Sequence, residues 1–139
     1  MTEEFITNNV NETKKIAAEL SSSLKGGETV ALFGDLGAGK TYFVKGLAEG
    51  LGFTGEVTSP TFNIVNEYLG GKFDIYHFDM YRITGWDDLD STGFFEYISS
   101  GGITVTEWSE NIENALSDDS IRVYITKTDE NKRKIVIKR

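Results

Sequence analysis

The eight residues from Gly34 to Thr41, Gly-Asp-Leu-Gly-Ala-Gly-Lys-Thr, constrain this chain more than any other stretch. They satisfy G-x-x-x-x-G-K-[ST] at Gly34, Gly39, Lys40 and Thr41, the pattern of a backbone loop that wraps a phosphate. Glycines at 34, 37 and 39 let successive N–H groups turn inward on an anion with no Cβ atoms in the way. Lys40 has the reach for the β- and γ-phosphates, and the Thr41 hydroxyl suits a Mg²⁺ ion. The flanks agree. Glu28 to Phe33 is a short β-prone run, and Phe43, Val44, Leu47 and Leu51 recur at helical spacing after Lys40. Strand, glycine loop and helix N-terminus in that order make a dipole-assisted phosphate site. Gly34, Asp35, Gly37, Ala38, Gly39, Lys40 and Thr41 are therefore candidate nucleotide contacts.

At 139 residues the chain reads as one domain, residues 1–139, with enough length for a core. It has no cysteine, which excludes disulfides and thiolate metal sites and suits a reducing cytoplasm. The acidic start Met-Thr-Glu-Glu-Phe has no apolar core, so no secretory signal is expected, and no apolar run approaches a membrane span. The net charge of −8 is uneven: residues 118–139 hold seven Lys/Arg against four Asp/Glu, and residues 1–117 hold seven against eighteen. So acidic a body repels a nucleic-acid backbone, and contact with RNA is expected only through the basic tail or another protein.

Residues 3–6 read as a short strand, and Asn9 or Asn11 caps a helix that runs to about Leu24. The polar stretch ahead of the phosphate-loop strand reads equally as a capping turn and as a cover for a base. Val57-Thr-Ser-Pro-Thr-Phe62 carries the only proline, which stiffens a loop displaying Thr58, Ser59 and Thr61. Those hydroxyls suit a switch segment that senses a γ-phosphate or its Mg²⁺. Asn63–Leu69 and Lys72–Phe78 read as strands joined at Gly70-Gly71, a two-residue hairpin signal. Short helices are expected near Trp86–Asp90 and Phe94–Ile98, a strand at Ile103–Trp108, a helix over 109–116, and a terminal hairpin from Ile121–Ile125 and Lys134–Ile137. The pattern predicts an α/β fold: a three-layer phosphate-loop sandwich with a mixed parallel and antiparallel sheet and a C-terminal hairpin.

Two carboxylates, Asp79 and Glu107, fall at strand ends, where nucleotide hydrolases keep an acid for Mg²⁺ or for water. Spacing favours Glu107 for the metal, beside Thr41, with Asp79 orienting water or acting one shell out. His77, the lone histidine, reads as a hydrogen-bonded packing residue. The four arginines (Arg82, Arg122, Arg133 and Arg139) are few for a small-molecule kinase, which must neutralise a moving phosphoryl group. Asn131-Lys-Arg-Lys134 lacks the Asp of an N-K-x-D guanine reader. ATP is the expected nucleotide.

Taken together, the phosphate loop, Thr58-Ser-Pro-Thr-Phe62, His77-Phe-Asp-Met-Tyr-Arg82 and Glu107-Trp108 resemble the bacterial TsaE (YjeE) ATPases over nearly the whole chain. The resemblance implies an ATPase needed for threonylcarbamoyladenosine, the modified base beside the anticodon in tRNAs reading codons that begin with A. It implies that the protein docks on a TsaB–TsaD heterodimer, whose TsaD subunit performs the transfer, and meets tRNA only through that complex. By position it places Gly37 to Tyr42 on the phosphates and Thr41 and Glu107 on Mg²⁺. It also puts Thr61 in the switch-like loop, Asp79 among the residues activity depends on, and Trp108 beside the nucleotide. Tyr42 stands where the family commonly has a second Thr. Arg133 is assigned to the base, on which a guanidinium stacks. Weak self-association is a further expectation. The alternatives are a small-molecule kinase and a non-hydrolysing nucleotide-gated adaptor.

Overall fold

Side-chain alternation along one strand divides the interior into two cores. In β2 (Thr29–Phe33), Val30 and Leu32 enter one apolar cluster and Ala31 and Phe33 the other. A strand buried on both faces belongs at the centre of a sheet covered on both sides, and β2 lies there. The structure, a computed structural model, describes residues 1–35, 37–60 and 63–139. Among them seven strands form one sheet in the order β1-β7-β6-β2-β5-β4-β3. β5 (Ile103–Glu107) and β6 (Ile121–Lys127) flank β2 in parallel, and β4 (Ile75–Asp79) is parallel to β5. The margins are antiparallel: β7 (Arg133–Lys138) on β6, β1 (Thr2–Thr7) on β7, and β3 (Val65–Tyr68) on β4. The mixed α/β sheet and the terminal hairpin of β6 and β7 follow the sequence expectation.

One face of the sheet is covered by α1 (Val10–Ser21) and α2 (Lys40–Gly50), which pack on each other. α1 starts where its cap predicts. The Asn9 side chain accepts from the Glu12 N–H at 2.9 Å, and Glu12 reaches back to the Asn8 N–H at 2.7 Å. Gly46 sets the closeness of the helix pair, because a Cβ there would overlap the Lys14 carbonyl. The buried stripe of α2, including Phe43, Val44 and Leu47, settles on Val30, Leu32, Ile103 and Val105. That packing holds the first turn of α2 rigidly at the carboxyl end of β2.

The other face carries α3 (Trp86–Ser91), α4 (Phe94–Ile98) and a 3-10 helix over Ser109–Ala115, which supply Leu89, Phe94 and Ile112 to the second core. Phe78 meets Phe94 and Tyr97 edge-on, with ring centroids 5.5 and 5.3 Å apart. One turn differs from the sequence expectation. β3 stops at Tyr68 and β4 begins at Ile75, so Gly70-Gly71 is not a two-residue hairpin. The wider connection is anchored by Lys72, whose N–H donates to the Leu51 carbonyl at the end of α2. A tertiary hydrogen bond outweighs the local turn signal.

Candidate active site

The loop between β2 and α2 curls as its glycines allow. Gly37 and Gly39 adopt φ of +81° and +101°, in the left-handed region that side chains resist. Gly39 is the residue before α2, so the free N–H groups of that helix open onto the loop's hollow. A cavity of about 570 Å³ lies there, lined by Gly37, Gly39, Lys40, Thr41 and Tyr42 from this segment. Gly34, Asp35 and Ala38 turn the other way, into a small cleft against Ile125–Lys127. Lys40 is the telling residue. It is only 6% exposed, its Nζ has no hydrogen-bond partner among the described residues, and it sits 4.4 Å from the centre of the Trp108 ring. A buried ammonium is normally paired. Here the aromatic face is its support, and the open side is the cavity.

Across that cavity stand the two carboxylates. β4 and β5 are parallel neighbours with Asp79 opposite Glu107 in register, so both acids end their strands at the same depth. Ile75 and Val105 enter the core beneath α1 and α2. The period of two therefore puts Asp79 and Glu107 on the same face as the phosphate-loop helix. Asp79 Oδ1 accepts from the Tyr81 N–H at 3.0 Å. Glu107 is 6% exposed, and its Oε2 is paired with Nε2 of the fully buried His77. His77 thus packs and hydrogen-bonds as the sequence suggests, with the candidate metal acid as its partner. Trp108 takes a left-handed φ of 55°, a turn that swings its ring from the strand end over Lys40 and against Tyr81 at 5.1 Å.

Comparison with known proteins places this arrangement. The profile of the family described as threonylcarbamoyl adenosine biosynthesis protein TsaE matches residues 7–135. The TsaE protein of Bacillus subtilis is 42% identical over 129 residues, covering 93% of this chain and 80% of that protein. The Rickettsia felis TsaE protein is 44% identical over 132 residues, covering 93% of this chain and 75% of its own length. The chain belongs to the TsaE family. The crystal structure of Bacillus subtilis YdiB superposes with a TM-score of 0.83 at 38% identity, over 99% of this chain and 84% of that one.

In this TsaE-family chain the remaining candidates divide. Thr61 lies outside the described residues. Tyr42 is 42% exposed at the cavity rim, beneath the Lys45 ammonium at 5.1 Å. Arg133 reaches the site from the start of β7, with its guanidinium engaged by backbone. Nε donates to the Ala38 carbonyl at 2.8 Å, Nη2 to Gly37, and Nη1 to carbonyls of the 129–132 turn. It thereby ties the phosphate loop to the start of β7. Those bonds join positions far apart in the chain and are invisible in sequence. Tyr81 is the site residue that sequence reasoning passed over; its signal was its place two residues beyond Asp79, on the same side of the chain.

The residues present fit a Mg²⁺-nucleotide. The Lys40 ammonium, which has no hydrogen-bond partner among the described residues, and the helix amides suit an anion of phosphate type. Among the described residues no three His, Cys, Asp or Glu side chains cluster as a metal cage. Thr41 and Glu107, which both line the cavity, are the side chains that could hold an ion otherwise held by phosphate oxygens and water. No described helix is long and apolar enough to cross a membrane.

Proposed function

We propose that this chain is a Mg²⁺-dependent ATPase of low intrinsic turnover that serves threonylcarbamoyl modification of the adenosine beside the anticodon in tRNAs reading ANN codons. It acts on a TsaB–TsaD-like heterodimer in the cytoplasm, leaves the group transfer to that partner, and meets tRNA only through it. The observation that carries the reading is the buried Lys40 at the mouth of the glycine loop, without a hydrogen-bond partner among the described residues and facing two register-matched carboxylates. Family membership supplies the pathway.

In phosphoryl transfer to water most of the work is positioning and charge stabilisation. Lys40 and the amides of Gly37, Gly39, Lys40 and Thr41 bind the phosphate chain and hold the γ-phosphoryl in place. A bound Mg²⁺, held by Thr41 and Glu107, would spread charge from the β- and γ-oxygens. Asp79 orients the attacking water with the oxygen that Tyr81 does not engage, and Thr61 belongs to the segment that senses the γ-phosphate. Trp108 lines the pocket beside Lys40 and excludes solvent from it. Among the described residues lining the cavity, Lys40 is the cation not already tied to backbone carbonyls, which accords with slow turnover without a partner.

Reconstituted tRNA modification, with and without this protein and ATP, tests the reading. Product that depends on both supports it. Modification at full rate without the protein contradicts it. Phosphate transfer to a nucleoside or sugar would point instead to a kinase, and ATP binding without hydrolysis, even with partners, to an adaptor.

A further inference from the structure

Two buried polar side chains outside the phosphate loop join Glu107 to the segment around Thr58. His77, fully buried in β4, pairs with Glu107 Oε2 through Nε2, and its Nδ1 lies 2.9 Å from the Tyr68 hydroxyl. Tyr68, 4% exposed in β3, sets its hydroxyl 2.7 Å from the Thr58 carbonyl, which shares the one phenolic proton with His77 Nδ1, and accepts from the Thr58 N–H at 3.3 Å. The hydroxyl therefore grips both main-chain polar groups of one loop residue. Asn66 adds two bonds of 3.2 Å to the same residue, from its Nδ2 to the Thr58 carbonyl and Oγ1. Just before β3, the Ile64 carbonyl accepts from the N–H of Asp79, the other acid, at 2.8 Å.

A glutamate has three rotatable bonds, so a carboxylate that must meet a metal needs something to aim it. His77 does so by holding one of its two oxygens. His77 is itself held at its other nitrogen by a phenol whose position depends on Thr58. Each member is locked by packing: the Tyr68 ring lies 5.1 Å from Phe53 and 5.8 Å from His77. We propose that Tyr68 and His77 are positioning residues that couple the aim of Glu107 to the place of the Thr58 segment, so that the metal ligand and the loop adjust together. The inference rests on the Mg²⁺-nucleotide reading above and deepens it. Neither residue touches the nucleotide; they act through Glu107.

Tyr68→Phe removes the hydroxyl and keeps the ring. Affinity for a non-hydrolysable ATP analogue is measured by calorimetry in EDTA and in Mg²⁺, with amide exchange followed in the peptide containing residues 57–60. In wild type, Mg²⁺ strengthens binding and changes exchange at that peptide. In Tyr68→Phe the affinity in EDTA stays within about twofold, the Mg²⁺ enhancement falls about tenfold, and the Mg²⁺-dependent exchange change is lost. His77→Gln, whose amide still reaches a carboxylate, loses the exchange response while keeping part of the Mg²⁺ enhancement. Asn66→Ala, at a half-buried position with no bond to Glu107, provides a second variant if Tyr68→Phe does not fold, and is expected to weaken the exchange response. An unchanged Mg²⁺ enhancement and exchange response in Tyr68→Phe, or in Asn66→Ala where that is the variant available, overturns the proposal and leaves the nucleotide reading standing. Failure of wild type to bind the analogue at all overturns both.

Discussion

Replacing Lys40 by methionine should move stability and affinity in opposite directions. The ammonium is buried without a hydrogen-bond partner among the described residues and has an aromatic face 4.4 Å away. Burying an unpaired charge costs several kcal/mol even after relaxation, and a desolvated cation–π contact returns about 2 kcal/mol. Water in the open cavity offsets part of the remainder, which leaves Lys40 a burden of about 1 kcal/mol on the nucleotide-free protein. Methionine keeps the apolar stem and discards the charge. At about 4 °C per kcal/mol for a chain of this size, the melting temperature of the free variant should rise by about 4 °C. The same change removes charge-assisted bonds to phosphate, for a loss of about 3–4 kcal/mol or roughly 10²–10³-fold in nucleotide affinity. Scanning calorimetry of the free protein and titration calorimetry with Mg²⁺-ATP give the two numbers. A Lys40→Met protein that melts lower and binds as tightly as wild type would refute the reasoning on both counts.

Glu107→Gln should leave nucleotide binding in EDTA nearly intact and abolish its Mg²⁺ dependence, read by titration with and without the ion; retained Mg²⁺ dependence would count against the assigned ligand. Phe43→Ala empties the centre of the α2 packing and should cost about 3–5 kcal/mol in urea unfolding, whereas a cost under about 1 kcal/mol would show that α2 is not anchored there. Asn9→Ala removes the cap of α1 and should cost about 1 kcal/mol, by the same measurement. Two hydrogen bonds from Thr84, the hydroxyl first and then the N–H, hold the Asp88 carboxyl below its ordinary pKa. A depressed folded value means stabilisation that is complete above the unfolded pKa and is lost as pH falls through the folded one. Thr84→Ala should therefore raise the Asp88 pKa in an NMR titration, and an unmoved titration would contradict the assignment.

Much of this molecule was legible because its local signals agree with its fold. The phosphate loop named its own flanks, and α2 begins at Lys40 as its spacing predicts. Asn9 caps α1, and the central strands show the apolar runs of a doubly covered sheet. What stayed hidden depends on contacts distant in sequence. No local pattern says that Asp79 and Glu107 share a register, because β4 is antiparallel to one neighbour and parallel to the other. The bond between His77 and Glu107 spans thirty positions, and that between Arg133 and Ala38 spans ninety-five. The run at 109–116 read as a helix, but it forms a 3-10 helix kinked at Ile112. Gly70-Gly71 does not close a two-residue turn, because the Lys72 N–H bonds to Leu51 at the end of α2 instead.

Titration calorimetry of the wild-type protein with adenine nucleotide in Mg²⁺ tests the central claim most directly. A one-to-one heat with ATP that disappears in Lys40→Met is the predicted result. No heat with either adenine or guanine nucleotides would contradict the phosphate site itself.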